Sequence, residues 1–171
     1  MHRPDLRPID QSLLDQLAEQ ALLRPRLRCN FNFHQERDAV QRFLNVLQPG
    51  TYVRPHRHCR EAAGEGFECF VVLQGAIGLL VFDADGQIRQ SLTLQALGPV
   101  RGVELAEGLF HTLVALQPAS VLFELKQGPY QPLHDKDFHP AFPLEGTPEA
   151  LQQEHRWRTL FSISSGSPAD E

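Results

Sequence analysis

The chain has 171 residues, an apolar fraction of 42%, a charged fraction of 22% and a formal net charge of −5, values typical of one globular domain. The negative charge and the lack of a basic run disfavour nucleic acid and anionic membrane surfaces as partners. No apolar segment approaches the roughly 20 residues that span a bilayer. The first residues lack the apolar stretch of a secretory signal. The three cysteines are too few and too irregularly placed for a disulfide framework. We therefore expect a cytoplasmic protein.

Both ends of the chain are predicted to contain a helix. In DQSLLDQLAEQALL, residues 10–23, leucines and alanines recur at helical spacing after a capping Asp10 or Ser12. This first helix is predicted to end before Pro25. The second helix, PEALQQEHRWRTLF, is predicted to begin at Pro148.

The region between about residues 26 and 126 consists of short β-type runs separated by turn signals. The runs are QRFLNVL, TYVRPH, FECFVVL, AIGLLVF, QIRQSLTL, VRGVEL, HTLVAL and SVLFELK. The pair Asp85 and Gly86, between two of these runs, is a strong hairpin signal. Many short strands without intervening helices predict an antiparallel sandwich or barrel, and the fold class is therefore all-β.

The predicted organisation is one structural domain in three parts. Residues 1–25 form an N-terminal helical segment, residues 26–130 a β-barrel, and residues 131–171 a C-terminal strap and short helix. The strap sequence PYQPLHDKDFHPAFPLEG is rich in proline, which predicts an irregular segment that crosses the surface.

Two histidines one residue apart lie at the end of the second β-type run, in TYVRPHRH. Side chains at i and i+2 of an extended strand share one face, so His56 and His58 can converge on one ion. Imidazole and carboxylate ligands together bind borderline divalent metals and leave positions open to substrate. Glu68, the only acid in FECFVVLQG, and His111, the first residue of HTLVAL, are the candidates that complete such a site.

These residues resemble the conserved motifs of the cupin superfamily. The stretch from Gly50 to His58, followed by the stretch from Glu68 to Gly75, is similar to the first motif: Gly, five residues, His-x-His, a gap, Glu, six residues, Gly. The gap of nine residues between His58 and Glu68 is longer than usual and is predicted to be a lengthened hairpin loop. AEGLFH, residues 106–111, keeps the Gly and His of the second motif but lacks its Pro and downstream Asn.

The wider chain is similar to one branch of that superfamily, the WbuC-type cupin metalloproteins found among surface-polysaccharide biosynthesis proteins. The similar stretches are RCNFNFH, VQRFLNVLQPGTYVRPHRH, FVVLQGAIGLLVFDADG and FELKQGPYQPLHDKDFHPAFP, within residues 28–143. The resemblance implies a jelly-roll cupin barrel, one divalent transition metal (Fe, Zn, Mn or Ni) and a role near sugar or O-antigen metabolism. The implied metal ligands are His56, His58, Glu68 and His111.

Several other residues are weaker candidates. Tyr52 and Arg54 share the predicted face of the two histidines, so they are candidates for orienting a substrate. Tyr52 could donate a proton or contact the substrate, or pack in the barrel with its hydroxyl satisfied. Arg54 could clamp a carboxylate or phosphate or pair with an internal acid such as Glu124. His34 is predicted either to line the pocket mouth or to bond to the backbone at a strand end.

His139, in the strap, is predicted to be a surface residue. The residues of KQGPY that include Lys126 and Tyr130 are predicted to be structural.

Three classes of function are compatible with this sequence. The leading one is a metal-dependent cupin that binds or acts on a small polar molecule, such as a sugar or nucleotide-sugar derivative, with the metal as a Lewis acid. The second is a non-haem Fe(II) dioxygenase that uses the same ligands, and the third is a non-catalytic sensor or ligand-binding module. The strand edges of an open barrel also predict a homodimer.

Overall fold

The structure is a computed structural model that describes residues 5–59, 66–129 and 136–164. The elements in chain order are α1 (Gln11–Leu22), β1 (Arg28–Asn32), β2 (Val40–Leu47), β3 (His56–Arg57), β4 (Phe67–Gln74), β5 (Ala76–Phe82), β6 (Ile88–Gln95), β7 (Gly102–Ala106), β8 (Phe110–Ala115), β9 (Ser120–Gln127), β10 (Asp137–Phe138) and α2 (Pro148–Ser164). Within these residues the strands form two five-stranded sheets, and every strand pair is antiparallel. The predicted all-β jelly roll with a helix near each end is confirmed.

The first sheet has the strand order β1-β2-β9-β4-β7, and the second has the order β10-β3-β8-β5-β6. The predicted hairpin at Asp85 and Gly86 joins β5 to β6, and Gly86 has a φ of 81°, which glycine adopts at no steric cost. The edge strands of the first sheet are β1 and β7, and those of the second are β10 and β6. Pairing of two copies at such edges stays a prediction.

The helix α1 covers the outer face of the first sheet. Its first turn is capped as predicted, because the Asp10 carboxylate accepts a hydrogen bond from the Leu13 amide at 3.0 Å. Its buried side consists of Leu14, Leu17, Ala18 and Ala21, which pack on Leu44, Val46 and Val121. The amphipathic spacing that predicted the helix is therefore also the spacing that attaches it to the sheet.

The helix α2 covers the outer face of the second sheet. Trp157 and Ala150 pack in one cluster with Leu80, Phe82 and Val114. A Cβ atom added at Gly78 of β5 would lie 2.4 Å from the Phe161 ring, so glycine at this position allows the helix to lie directly on the strand.

The inner faces of the two sheets enclose an apolar core and an adjoining cavity. The core includes Leu47, Phe70, Leu79, Leu94, Leu113 and Leu122. Leu47, Phe70 and Leu113 also line the cavity. The apolar core therefore forms one wall of the cavity, and close packing there restrains the strands that carry the cavity residues.

Two predicted features differ from the structure. The run TYVRPH forms a strand only at its end, because β3 begins at His56; Pro55, which has no amide hydrogen, precedes it. The strand β1 was not among the predicted runs, since its sequence RCNFN is polar and lacks the usual apolar and β-branched composition. It is nevertheless fully paired with β2.

Other predictions lie outside the described residues. These are the body of the lengthened loop between His58 and Glu68 (residues 60–65) and the first part of the strap (130–135), which includes Tyr130. Of the strap that is described, Asp137 and Phe138 pair with β3. Within the described ranges, we find no helix of the length and apolar character needed to cross a membrane.

We expect Gly78→Ala to lower the free energy of unfolding by about 1–3 kcal/mol, because the new methyl group would overlap the Phe161 ring and displace α2. In a Phe161→Ala background the same substitution should cost less than about 0.5 kcal/mol. Urea unfolding followed by the fluorescence of the single tryptophan, Trp157, measures both values. An equal cost in the two backgrounds would contradict the proposed contact.

Candidate metal centre

The structure brings the three predicted histidines together at the edge of the cavity. His56 on β3 and His111 on β8 are directly opposite each other in the strand register, and His58 follows β3. One ring nitrogen from each imidazole lies within 4.8 Å of the others. Since metal–nitrogen bonds are about 2.0–2.1 Å long, adjacent ligand nitrogens of one ion lie about 3–3.4 Å apart, so the rings converge on one point and an inward movement of about 1 Å lets them share an ion.

A tight turn places His58 and His111 relative to each other. The amide of Gly108 donates a hydrogen bond to the His58 carbonyl oxygen at 3.0 Å, and Gly108 has a φ of 82°, which favours glycine. The glycine of the partly conserved second motif therefore connects the end of β3 to the start of β8.

The backbone fixes the orientation of two of the rings. Nδ1 of His56 lies 2.9 Å from the Arg54 carbonyl oxygen, and Nδ1 of His111 lies 2.9 Å from the Leu109 carbonyl oxygen. A carbonyl can only accept, so each Nδ1 carries a hydrogen and donates it, which leaves a lone pair on Nε2. Burial, together with the charge of Lys136, lowers the pKa of His56 well below its usual range. The imidazole is therefore neutral, as a metal ligand must be.

Glu68 on β4 brings a carboxylate to the same point from the first sheet. Its oxygens lie 3.1 Å from Nε2 of His111 and 3.5 Å from Nε2 of His58. Burial alone would raise its pKa, but the charges and hydrogen bonds of His111 and His58 outweigh burial, and the pKa of Glu68 lies well below its usual range. A carboxylate oxygen and an Nε2 lone pair this close repel each other unless a cation, either a proton or a metal, lies between them. The residues thus fit a divalent metal.

The cluster opens onto a cavity of about 490 Å³, which is within the size range of small-molecule sites. Polar side chains from the first sheet line this cavity next to the metal cluster. They include Asn45, Glu124 and Lys126. The alternation in VLFELK places Leu122, Glu124 and Lys126 on one face, and this signal could have identified both polar residues from the sequence.

Glu124 is a cavity residue that was predicted only as an alternative partner of Arg54. Its side chain accepts a short hydrogen bond from the Asn45 amide, and the structure gives it no contact with Arg54. Burial, the neighbouring charge of Glu68 and a hydrogen bond with Glu68 raise the pKa of Glu124 well above its usual range. The site therefore contains an ionised carboxylate, Glu68, beside a protonated one, Glu124.

The predicted orientation of Tyr52 toward the two histidines is wrong, and the structure shows the predicted alternative, a packed ring with a satisfied hydroxyl. Its ring stacks on Trp157, with centroids 5.7 Å apart and an interplanar angle of 7°, and its hydroxyl donates to the Pro143 carbonyl oxygen at 3.0 Å. Tyr52 therefore belongs to the contact with α2. Val53 lines the cavity instead.

The predicted orientation of Arg54 is also wrong. Its guanidinium donates to the His139 carbonyl oxygen at 3.3 Å and lies 5.1 Å from the centroid of the Phe138 ring. The cause is the same for both residues: residues 51–55 are not in a strand, so the alternation of faces does not extend from β3 across Pro55.

Two further histidines have structural contacts. His34 lines the cavity and its Nδ1 accepts from the Arg42 amide at 2.9 Å, so both predicted alternatives occur together. His139 is fully buried, not on the surface as predicted. Its Nε2 donates to the Asp83 carbonyl oxygen at 3.0 Å, which attaches the strap to the end of β5.

The two packed sheets form a cupin fold, and the histidine–glutamate cluster lies at the edge of its cavity. A family model described as a domain of unknown function (DUF6016) matches residues 9–94, half of the chain, and the protein belongs to this family. No curated protein matches the sequence.

Several solved structures share the fold at low sequence identity. The capsular polysaccharide assembling protein CapF from Staphylococcus aureus is 18% identical over 64% of this chain, with a TM-score of 0.51. An oxalate oxidase in complex with the substrate analogue glycolate is 14% identical over 84% of this chain and 76% of its own, with a TM-score of 0.51. The conserved protein SPY1581 from Streptococcus pyogenes is 10% identical over 76% of this chain and 95% of its own, with a TM-score of 0.50. The chain spans only 28% of the length of CapF.

We expect the metal-free protein to lose stability as the pH falls from 7.5 to 5.5. The unfolded chain binds a proton at His56 near pH 6.5, whereas the folded chain, in which the pKa of His56 is lowered, does not; stability therefore falls below that pH. His56→Asn should lose about 1 kcal/mol less than the wild type over this interval. Urea unfolding of chelator-treated protein at both pH values measures the difference.

The matched control is His155→Asn, since His155 is exposed on α2. It should follow the wild type. The interpretation fails if His56→Asn loses as much stability on acidification as the wild type does.

Proposed function

We propose that this protein is a metal-dependent cupin that binds a small polar molecule at the metal centre and acts on it, and that the molecule is a sugar or nucleotide-sugar derivative in surface-polysaccharide biosynthesis. The observation that carries the proposal is the convergence of three imidazoles and one carboxylate at the edge of a cavity of about 490 Å³. A purely structural metal site has no need of an adjoining cavity of this size.

The residues of the cluster have distinct roles in this proposal. His56, His58, His111 and Glu68 would hold Fe, Zn, Mn or Ni. Such an ion, when bound, supplies Lewis-acid chemistry, which polarises a carbonyl or hydroxyl group of the substrate.

Glu124 is the group placed to exchange a proton with the substrate. It lines the cavity, burial and the neighbouring Glu68 raise its pKa well above the usual range and so favour its protonated form, and the Asn45 amide fixes its orientation. A protonated carboxyl can donate a hydrogen bond or a proton to a substrate oxygen. Phe70 and Leu113 form the apolar side of the cavity and limit the access of water to the reacting groups.

The biological part of the proposal rests on the resemblance of KQGPY and DKDF to the WbuC-type cupins. CapF, which has the same fold, is a capsular polysaccharide assembling protein, and a role of this chain in related chemistry is in keeping with that. The small-molecule partner and the cytoplasmic location are parts of the same proposal.

We predict close to one metal ion per chain in the purified or reconstituted wild type. His56→Ala and His111→Ala should each lower the metal content at least about tenfold. Each substitution removes one of the four ligands that replace the water around the ion, so the affinity for the metal falls. Elemental analysis of the gel-filtered proteins measures this. His155→Ala, which removes an exposed imidazole, should retain the wild-type content.

Further measurements on the same proteins separate the other classes of function. Iron, with oxygen uptake that stops in anaerobic buffer, would indicate a dioxygenase, and retention of a small molecule without turnover would indicate a binding module. A wild type that stays empty after incubation with Fe(II), Zn(II), Mn(II) and Ni(II) would refute the proposed metal centre.

A further inference from the structure

Both lysines of this protein lie in the same cavity. The sequence has sixteen lysine and arginine residues, and only Lys126 and Lys136 are lysines. Both line the cavity beside the metal cluster. Elsewhere in the chain every strongly basic side chain is an arginine, so the compact ammonium group is confined to this site.

Lys126 is fixed on the first sheet next to a metal ligand. It is opposite Glu68 in the register of β9 with β4, and opposite Gln41 in the register of β9 with β2. Its side chain is only 4% exposed, and its Nζ lies 5.8 Å from the centroid of the Phe43 ring. Burial of an ammonium group is costly unless negative charge compensates it.

Lys136 faces the cavity from the second sheet. It immediately precedes β10, and β10 pairs with β3 through Asp137 opposite Arg57 and Phe138 opposite His56. Its charge acts on the His56 imidazole and also on Glu124, which places its ammonium group near the metal cluster. The two lysines therefore approach the cavity from opposite sheets.

The charge of the inner cavity is positive once a divalent ion is bound. Among the described lining residues, the two lysines and the ion contribute four positive charges, while Glu36, Glu68 and Glu124 contribute at most three negative charges. Arg26 and Arg28 do not reverse this balance, because their two positive charges face the single negative charge of Glu145, with the nearest contacts at 2.5 and 2.6 Å. A positively charged, partly buried cavity attracts and concentrates anions.

We propose that Lys126 and Lys136 form an anion subsite beside the metal centre, and that the substrate is a small polar molecule with a carboxylate or phosphate group. This inference rests on the proposed function, since it concerns the same cavity. The ammonium groups bind the anionic group, while a hydroxyl or carbonyl of the same molecule faces the metal cluster. An acidic sugar or a sugar phosphate has this combination of groups.

Lysine is suited to this role for a physical reason. An ammonium group is a compact point charge with three donors on a flexible stem, whereas a guanidinium is a broad planar fork. Two ammonium groups on opposite walls can both reach one carboxylate or phosphate in a confined space. The Lys126 ammonium group lies 5.8 Å from the centroid of the Phe43 ring, and both residues line the cavity.

The presence of only two lysines allows a direct test. Zinc-loaded protein labelled with ¹³C-lysine should give two Cε–Hε signals in NMR spectra, which Lys126→Met and Lys136→Met assign. The probes are glucuronate, glucose 6-phosphate and glucose. We expect glucuronate or glucose 6-phosphate to shift both signals in a saturable way and glucose to leave them unchanged. The acidic probe that binds with the higher affinity indicates whether the subsite takes a carboxylate or a phosphate.

The variants give the second readout. Lys126→Met and Lys136→Met, which keep an unbranched apolar stem, should each weaken binding of the acidic probe about 10- to 100-fold in calorimetry, since each removes a charge-assisted hydrogen bond. Their zinc content should stay at the wild-type level. Arg101→Met, which removes an exposed cation, is the matched control and should bind the probe like the wild type.

Three results would overturn the anion subsite: no shift with either acidic probe, equal affinity for glucose, or unchanged affinity in both lysine variants. If Lys126→Met does not fold, the affinity of Lys136→Met for the acidic probe decides whether the subsite exists. A failure of the proposed metal centre is a separate result, because the wild type would then contain no zinc. The anion subsite can still be tested in that case, since the lysine signals can be titrated with the acidic probes in the metal-free protein.

Discussion

The centre depends on the pairing of His56 with His111 between β3 and β8. The strand β3 has only two residues, and it is held between β8 on one side and β10 on the other. His111 is in turn fixed by the pairing of β8 with β5, in which it is opposite Val81. A slip of one residue in either register would turn an imidazole away from the cavity, so the geometry of the site depends on the pairing of the whole second sheet.

The rest of the fold supports this arrangement by separating apolar from polar packing. The helices α1 and α2 bury apolar side chains on the outer faces of the two sheets, and a closely packed core fills one part of the interior. The remaining interior contains buried polar and charged groups, among them Glu68, Glu124 and Lys126. These groups lower the stability of a folded chain unless they are paired, and such exceptions to apolar burial concentrate at functional sites.

The ionisation state of each group in the cavity depends on its neighbours. Glu68 is ionised because His111 and His58 lie beside it, and its charge helps to keep Glu124 protonated. The carbonyl oxygens of Arg54 and Leu109 orient two imidazoles with their lone pairs toward the cluster. The resulting site combines a set of metal-binding donors, a neutral acid and two ammonium groups within one small cavity, a combination suited to a small anionic substrate.

The sequence by itself determined most of the strands, both helices and the four residues that converge in the cluster, because these follow from local patterns; β1 and β10 were not predicted. The alternation of apolar residues, the Asp10 cap, the Asp85-Gly86 turn and the spacing of the two motifs all act over a few residues. The two lysines were also visible in the sequence, but their meeting in one cavity was not.

Only the tertiary structure decided the orientation of Tyr52 and Arg54, the burial of His139, and the position of Lys126 and Lys136 in the lining of one cavity. Alternation predicts a common face only while the chain stays extended in a strand, and it does not do so before His56. Residues far apart in the chain meet through sheet pairing and the packing of the strap, and these long-range contacts leave no periodic signal in the local sequence.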